Sequence, residues 1–290
     1  MYSIENDFLT CDISPDGAEI RSLKSKQTGK ESIWQVDPTV WRSSSPILFP
    51  AIGTIKGDKI LYKGVSYDMP KHGIVRDNKN LTFHKKTGES CSFMLSNSQR
   101  TLKQYPFAFF FKVTYTLEKH CLQMTYEIHN LDSVDLYFTC GGHTAYACPI
   151  TSTKKLSDYV IEIPTKKPLK SHMLDPSGLL TSKFRDIEYK NGFLSLSATL
   201  FNEDALIFSD IDYNWVRLRE KSRKKGIVVH FEGYPNLALW SKPKADYICI
   251  EPWLGLPDHI NESLDITQKE SYKALAPNES YKITIETKIE

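Results

Sequence analysis

The sequence predicts an all-β protein built as a large antiparallel sandwich or barrel. The first observation is that apolar and polar residues alternate in many short runs, as they do when successive side chains of a strand point to opposite faces. Residues 109–117 (FFFKVTYTL) and 121–129 (CLQMTYEIH) show this pattern best, and the three residues between them fit a hairpin turn. The second observation is that helical periodicity is nearly absent, which argues against alternating β and α units.

Further runs of the same kind cover most of the chain. They are rich in Val, Ile, Thr, Tyr and Phe, which suit a pleated, half-buried surface, and Gly- or Asn-containing turn signals separate them. These predicted strands are 59–69, 80–85, 90–96, 134–140, 157–163, 193–199, 214–219, 226–231, 236–240, 246–251 and 281–289. Only 99–105 and 154–158 fit a helical turn or two.

The domain organisation follows from length and from the even composition. All-β domains often exceed 200 residues, so the 290 residues do not by themselves require two domains. No linker-like change in composition interrupts the chain, and we expect one domain over residues 1–290. The basic run 217–225 lies between two predicted strands and is expected to be a solvated hairpin loop.

Composition argues against several classes of protein. The 37 Lys and Arg residues nearly balance the 35 Asp and Glu residues, whereas nucleic-acid-binding proteins usually carry a marked basic excess. No apolar run approaches the roughly 18 residues needed to cross a bilayer. The polar, acidic amino terminus does not resemble a signal peptide, so we expect a cytoplasmic protein with no membrane partner.

Cofactors and metals are also not expected. The six cysteines form no C-x-x-C pair and no zinc-like spacing, and we expect them to be reduced thiols. The histidines show no metal-ligand spacing, and there is no glycine-rich phosphate-binding loop. The cysteines are Cys11, Cys91, Cys121, Cys140, Cys148 and Cys249.

Glu251 is the first of three polar residues that interrupt apolar surroundings. Strand alternation places it on the same face as Tyr247 and Cys249, and Pro252 then ends the strand. Burying a carboxylate there is costly unless it is paired or hydrogen-bonded. The residue is therefore either a salt-bridged structural Glu or a catalytic base.

The other two candidates are His143 and His72, each of which lies next to a glycine in the sequence. His143 comes directly after Gly141-Gly142, which permit a bulge, a positive φ or a close approach of ligand to backbone. A His near its usual pKa of about 6.5 can donate or accept a proton, although a structural His is the alternative. His72 lies in the loop 69–77 with Lys71 and Arg76, which is either a binding loop or an exposed polar one.

Four short motifs follow one another along the chain. They are SSSPILFP at 43–50, PKHG at 70–73, GGH at 141–143 and CIEPWxGxPD at 249–258. In this order they resemble the aldose 1-epimerase (galactose mutarotase) family, and in particular its LacX-like branch. The resemblance extends from about residue 3 to residue 288 and implies a large β-sandwich, called a supersandwich, with a sugar-binding cleft on one sheet face.

The resemblance also implies an activity, which is the cofactor-free interconversion of α and β anomers of an aldose. Glu251 matches the family's general base, His143 its general acid and His72 its second active-site histidine. Trp253 is expected to cover an apolar face of the sugar, with Tyr146 and Phe49 as alternatives. Because a carboxylate raises the pKa of a neighbouring histidine, we expect Glu251 to raise that of His143.

Two departures from the family pattern concern substrate binding. The family carries a sugar-binding Arg just after the L-F-P-x-x-G stretch, where this chain has Thr54, and Arg42 or Arg76 is expected to replace it unless the substrate differs. Asp204 is the nearest candidate for the family's substrate-binding Asp, and a turn-forming Asp is the alternative.

Two other functions remain compatible with the sequence. One is a non-catalytic sugar-binding or sugar-sensing protein on the same fold, because fold does not determine function. The other is an epimerase of hexose 6-phosphates, in which Lys71, Arg76 and Arg42 would hold the phosphate. In each case the expected partner is a small-molecule aldohexose or its phosphate, and the protein is expected to be a monomer or a homodimer.

Overall fold

Strands dominate the structure, a computed structural model that describes residues 1–150, 153–243 and 245–290. In chain order the strands of this part are β1 (Tyr2–Glu5), β2 (Leu9–Ile13), β3 (Ile20–Ser25), β4 (Ile47–Leu48), β5 (Lys59–Tyr62), β6 (Val65–Asp68), β7 (Thr82–Lys86), β8 (Ser90–Ser96), β9 (Phe109–Glu118), β10 (Cys121–Asn130), β11 (Leu136–Phe138), β12 (Gly141–Gly142), β13 (Thr144–Ala147), β14 (Tyr159–Glu162), β15 (Leu169–Leu174), β16 (Leu180–Ile187), β17 (Phe193–Ser195), β18 (Leu206–Phe208), β19 (Trp215–Glu220), β20 (Ile227–His230), β21 (Asn236–Trp240), β22 (Tyr247–Trp253), β23 (Lys273–Leu275) and β24 (Ser280–Ile289).

Helical structure in the described residues is limited to four short 3₁₀ turns. They are Lys56–Asp58, Thr101–Lys103, Leu156–Asp158 and Ile266–Gln268. Two of them fall in the windows 99–105 and 154–158, where the sequence predicted a helical turn. None of the described helical segments is long and apolar enough to cross a membrane.

The all-β antiparallel prediction is confirmed. One sheet has nine strands in the order β17-β14-β19-β20-β24-β10-β9-β8-β7. The second has eight, in the order β16-β15-β18-β21-β22-β12-β4, with β13 pairing with another part of β22. Three small sheets, β1-β2-β3, β5-β6 and β11-β23, complete the structure.

Alternation along the strands explains how the two large sheets form a sandwich. In β9 and β10 every second side chain is buried, including Phe111 and Tyr126. From the other sheet, Ile248 and Ile250 of β22 belong to the same buried cluster. Tyr146 of β13 shares a hydrogen bond of 2.6 Å with Thr287 of β24, so a polar contact also joins the two sheets.

The opposite face of β22 carries a different set of side chains. Tyr247 and Cys249 pack there in a separate apolar cluster with Trp41. Glu251 follows them on that outer face, as the alternation predicted. The apolar residues between the sheets thus force the carboxylate outward, into the cleft described below.

Gly141 and Gly142 allow close packing and do not use a positive φ. A Cβ added to Gly142 would lie 2.8 Å from Ile285 Cδ1 of the nine-stranded sheet, and one added to Gly141 would lie 2.6 Å from the Pro252 carbonyl oxygen. The glycines therefore permit a close approach of the protein's own groups, and not of a ligand as one of the predicted uses had it.

The last residue of the CIEPWxGxPD motif has a structural role. Asp258 forms a buried ion pair of 2.5 Å with Lys269 and also accepts a hydrogen bond of 2.9 Å from the Lys56 backbone N–H. Both side chains of the pair are almost fully buried. Asp258 thereby fixes the loop after β22 against the segment that follows Thr54.

We predict that the chain unfolds as one unit. The carboxyl-terminal strand β24 lies in the middle of the nine-stranded sheet, and Tyr115 donates a 2.5 Å hydrogen bond to the Ala18 carbonyl near the amino terminus. Because both ends of the chain are built into the same core, thermal unfolding should be a single transition, and limited proteolysis should yield no stable half. Two protease-resistant fragments would contradict this.

Candidate active site

A cleft of about 850 Å³ opens on the outer face of the eight-stranded sheet. The predicted site residues that line it are Glu251, His143, His72, Arg76, Asp204 and Trp253. These six lie between residues 72 and 253 of the chain and are brought together by β22, by the end of β12 and by loops. Arg42 is exposed and is not among the lining residues, so of the two candidate arginines Arg76 is the one in position to meet a ligand.

Glu251 lies at the floor of the cleft and is 2% exposed. Its Oε2 is 3.3 Å from His143 Nε2, but the two atoms are not aligned for a hydrogen bond and Oε2 has no partner. Burial raises the pKa of the carboxyl group well above its usual value. Lys71 and Arg76 oppose this shift and Asp204 adds to it, but burial is the largest cause, so the neutral acid is favoured.

His143 is held among aromatic rings. Its ring centroid is 5.1 Å from that of Trp41 and 5.7 Å from that of Trp240, and its Nδ1 is buried without a partner. Burial lowers its pKa to about 3, and the positive charge of Arg76 is the next cause. The pKa of His143 is therefore lowered and not raised as expected, because the loss of hydration on burial is the largest cause.

The contact between the two groups is thus a contact between neutral side chains, although at this distance it would count as an ion pair if both were charged. The Glu251–His143 pair holds one proton whether both side chains are neutral or both are ionised. Burial favours the neutral pair, in which the proton is on Glu251. Each group also retains a buried polar atom without a partner. The pair can therefore exchange a proton with a bound hydroxyl without first breaking a hydrogen bond within the protein.

His72 lies beside the pair, with its ring centroid 5.6 Å from that of His143. Its backbone has a φ of 69°, an uncommon conformation for such a residue, and strained positions of this kind cluster at functional sites. The Gly53 N–H donates to His72 Nδ1 at 3.1 Å. Burial lowers the pKa of His72, so the ring is neutral, its proton is on Nε2, and Nε2–H is a hydrogen-bond donor.

Of the three aromatic residues expected to cover a sugar, Trp253 is the one in the cleft. Its indole side chain is buried, and its hydrogen-bonding interaction with the Glu251 carboxyl group lowers the pKa of that group, against the larger effect of burial. Phe49 packs against Phe111 in the core, with ring centroids 4.8 Å apart, and Tyr146 bonds to Thr287.

Asp204 and Thr54 lie on the walls of the cleft. Asp204 has a φ of 72°, and its Oδ1 accepts a hydrogen bond of 2.8 Å from the Ala205 N–H. It therefore lies in a turn and its charge also reaches Glu251, and its role in binding substrate stays a prediction. Thr54 is half-buried and carries no charge with which to replace the Arg of related sequences.

Sequence reasoning missed a number of lining residues, among them Trp41, Arg185, Trp240 and Lys242. Arg185 belongs to the hairpin β15–β16, whose outward residues are exposed and whose alternation is weak, so no pattern marked it. Trp41 and Trp240 could have been proposed as site residues from the sequence, because aromatic side chains commonly line ligand sites.

The structure also brings together a trio that sequence spacing could not reveal. Ligand atoms of His143, Cys249 and Glu251 lie within 4.8 Å of one another, and such a set could hold a metal ion. Binding would require the thiolate form, whereas burial and the neighbouring Glu251 raise the pKa of the Cys249 thiol well above its usual value. The absence of a metal requirement stays a prediction, and it is tested below.

Comparisons with known proteins cover the whole chain. Residues 1–288 match the family model described as aldose 1-epimerase. The chain is 30% identical over 297 residues to the chromosomal LacX protein of Lactococcus lactis subsp. lactis, covering 97% of this chain and 98% of the relative.

Solved structures give the same result. A galactose mutarotase related enzyme from Lactobacillus acidophilus is 30% identical with a TM-score of 0.93, covering 100% of this chain and 97% of the other. A galactose mutarotase-like protein from Lactobacillus casei is 27% identical with a TM-score of 0.92, and all of both chains is covered. Because the family model spans residues 1–288 and a relative is 30% identical over nearly the full length of both chains, the chain belongs to the aldose 1-epimerase family.

Proposed function

We propose that the protein interconverts the α and β anomers of an aldose, with Glu251 and His143 as the reacting pair. The observation that carries the proposal is the buried Glu251–His143 contact of 3.3 Å at the floor of a ligand-sized cleft. Two titratable groups with shifted pKa values and unpartnered atoms in such a place are candidates for acid–base catalysis.

The reaction needs one proton removed and one delivered. In ring opening, Glu251 as carboxylate takes the proton of the C1 hydroxyl while His143 as imidazolium gives a proton to the ring oxygen, and the bond between C1 and that oxygen breaks. Rotation about the C1–C2 bond exposes the other face of the aldehyde. Closure reverses both proton transfers, so the pair regains its starting state without a covalent intermediate.

The proton count of the pair fits this cycle. After ring opening Glu251 is protonated and His143 is neutral, which is the state that burial favours in the empty cleft. The ionised state that starts the cycle has the same number of protons, so a bound sugar can bring it about by hydrogen bonding alone. His72 Nε2–H is placed to donate one such bond, to the ring oxygen or to a neighbouring hydroxyl.

The test is anomer equilibration followed by polarimetry or NMR. Freshly dissolved α-glucose and α-galactose should reach equilibrium faster with the protein than in buffer alone. A protein that binds these sugars without any acceleration would instead be the non-catalytic sugar-binding alternative. Three tryptophans line the cleft, so quenching of their fluorescence reports binding independently of catalysis.

The charges of the cleft bear on the choice between an unphosphorylated sugar and a hexose 6-phosphate. Arg76 is 3.5 Å from Asp77, and Arg185 is 2.9 Å from Glu203, so each guanidinium in the cleft already faces a carboxylate. Of the phosphate clamp considered above, Arg42 is not in the cleft, whereas Lys71 and Arg76 line it, and none of the described ion pairs involves Lys71. The same assay with the 6-phosphates decides between the two substrates: faster equilibration of the 6-phosphates than of the free sugars would make the protein a hexose 6-phosphate epimerase.

We predict that chelators leave the activity unchanged. The mechanism uses protons alone, and the raised pKa of Cys249 disfavours the thiolate that the trio would need. Activity should be the same with and without EDTA after dialysis. Loss of activity in EDTA that a divalent cation restores would make the trio a metal site and would contradict the mechanism.

The state of the cysteines indicates the compartment in which the protein works. All six are free thiols, and five of them are buried. Because disulfides are rare in reducing compartments and thiols persist there, we propose that the enzyme works in the cytoplasm.

A further inference from the structure

A β-hairpin forms one wall of the cleft. Strands β15 and β16 pair from Leu169 to Ile187, and the turn between them, residues 175–178, lines the cleft. The tip of the hairpin rests on position 54, because a Cβ added to Gly178 would lie 2.7 Å from Thr54 Oγ1. A side chain much longer than Thr54 would therefore displace the hairpin.

This hairpin carries an arginine whose hydrogen bonds are incomplete. Arg185 lines the cleft, and its Nη1 donates to Glu203 Oε2 at 2.9 Å. Its Nη2 is buried and has no partner. Buried donors in proteins are nearly always satisfied, so an unpartnered guanidinium nitrogen beside a cleft indicates a place for an acceptor atom of a ligand.

We propose that Arg185 is a substrate-binding residue, which donates from Nη2 to a hydroxyl oxygen of a neutral aldose whose reacting end lies at Glu251 and His143. Glu203 is a positioning residue that holds the guanidinium in place. The inference rests on the proposed function and adds the group that binds the sugar away from the reacting atoms.

The charges around Arg185 favour a hydroxyl over an anionic group. Glu203 offsets the charge of the guanidinium, and Asp204, the next residue, adds a further negative charge on the same wall. A phosphate or carboxylate would meet two carboxylates beside the one arginine. A neutral hydroxyl accepts the hydrogen bond without that repulsion and can donate to either acid.

The test is a comparison of KM and kcat for galactose or glucose. Arg185→Gln should raise KM by about 10- to 100-fold, the value of one hydrogen bond to a charged group. It should leave kcat within about threefold, because a bond made equally in ground and transition states changes KM alone. Arg185→Lys keeps the charge without the planar fork and should raise KM by a smaller factor.

Lys183→Gln is the matched control, since Lys183 lies two residues away on β16, is exposed and does not line the cleft. It should leave KM unchanged. An unchanged KM in Arg185→Gln, or a fall in kcat without a rise in KM, would overturn the proposal. Thermal unfolding checks the fold, and if Arg185→Gln does not fold, an unchanged KM in Arg185→Lys overturns the proposal instead.

Binding measured by tryptophan fluorescence separates this proposal from the proposed function. If the protein binds galactose without accelerating its anomerisation, the proposed function fails, while weaker binding in Arg185→Gln than in Lys183→Gln still supports the role of Arg185. If neither galactose nor glucose binds to the unaltered protein, the role of Arg185 fails as well. Stronger binding of galactose 6-phosphate than of galactose would overturn the preference for a neutral ligand.

Discussion

Replacing Glu251 with Gln is expected to lower kcat of anomerisation by about 10²- to 10⁴-fold, the usual contribution of a positioned acid or base. The amide keeps the shape of the side chain but can neither take the proton of the C1 hydroxyl nor return it. The effect should fall on kcat, because the proton is transferred only in the chemical step. Polarimetry corrected for the spontaneous rate measures it.

The same substitution should cost little stability, and its effect should depend on pH with a definite sign. Burial raises the pKa of Glu251 in the folded state above 4.5, so between 4.5 and the raised value the folded protein binds more protons than the unfolded chain. The contribution of Glu251 to stability is therefore full below pH 4.5 and falls as pH rises. The Gln variant lacks this loss, so its Tm relative to the unaltered protein should rise between pH 5 and pH 8.

Glu220→Gln is a control for the removal of a buried carboxylate as such. Glu220 is 8% exposed, lies on the nine-stranded sheet outside the cleft and pairs with Arg223 at 3.3 Å. Its replacement should leave kcat unchanged. If Glu251→Gln kept the turnover of the unaltered protein, Glu251 would not be the base, and if it failed to fold, Glu251 would be a structural residue.

The parts of the fold that the sequence predicted are those with long, regular alternation. β9, β10 and β24 are ten-residue strands whose apolar residues alternate with polar ones, because one face of their sheet is buried and the other faces solvent. The hairpin β15–β16 went unrecognised because seven of the eight β16 residues are exposed or half-buried, and period-two patterning requires one buried face.

The candidate site, like the fold, has residues that a sequence pattern predicted and others that it did not. Glu251, His143 and His72 were predicted because motifs and strand ends mark them, and all three line the cleft. Their pKa directions could not be predicted, since burial is set by residues from many segments together. Arg185 left no signal because its unsatisfied Nη2 is a property of the packed hairpin and not of any local pattern.

His143→Asn is the second substitution with a large expected effect, and the pH dependence of the unaltered protein gives it a reference. Since burial lowers the pKa of His143 to about 3 and raises that of Glu251, the pair holds one proton over a wide range of pH. The profile of kcat/KM should therefore be a broad plateau. It should fall at low pH, where the pair takes up a second proton, and at high pH, where it loses the first.

In His143→Asn, kcat should fall by about 10²- to 10⁴-fold, because the amide cannot deliver a proton to the ring oxygen. The remaining rate depends on Glu251 alone, which acts as a base only when ionised. That rate should rise as pH increases through the raised pKa of Glu251. It should show no fall at alkaline pH, because without His143 the loss of the Glu251 proton no longer removes a proton that the pair delivers to the ring oxygen. A remaining rate that still falls at alkaline pH as in the unaltered protein would assign the acid to another residue, and His72, whose Nε2–H faces the same cleft, would be the first to replace.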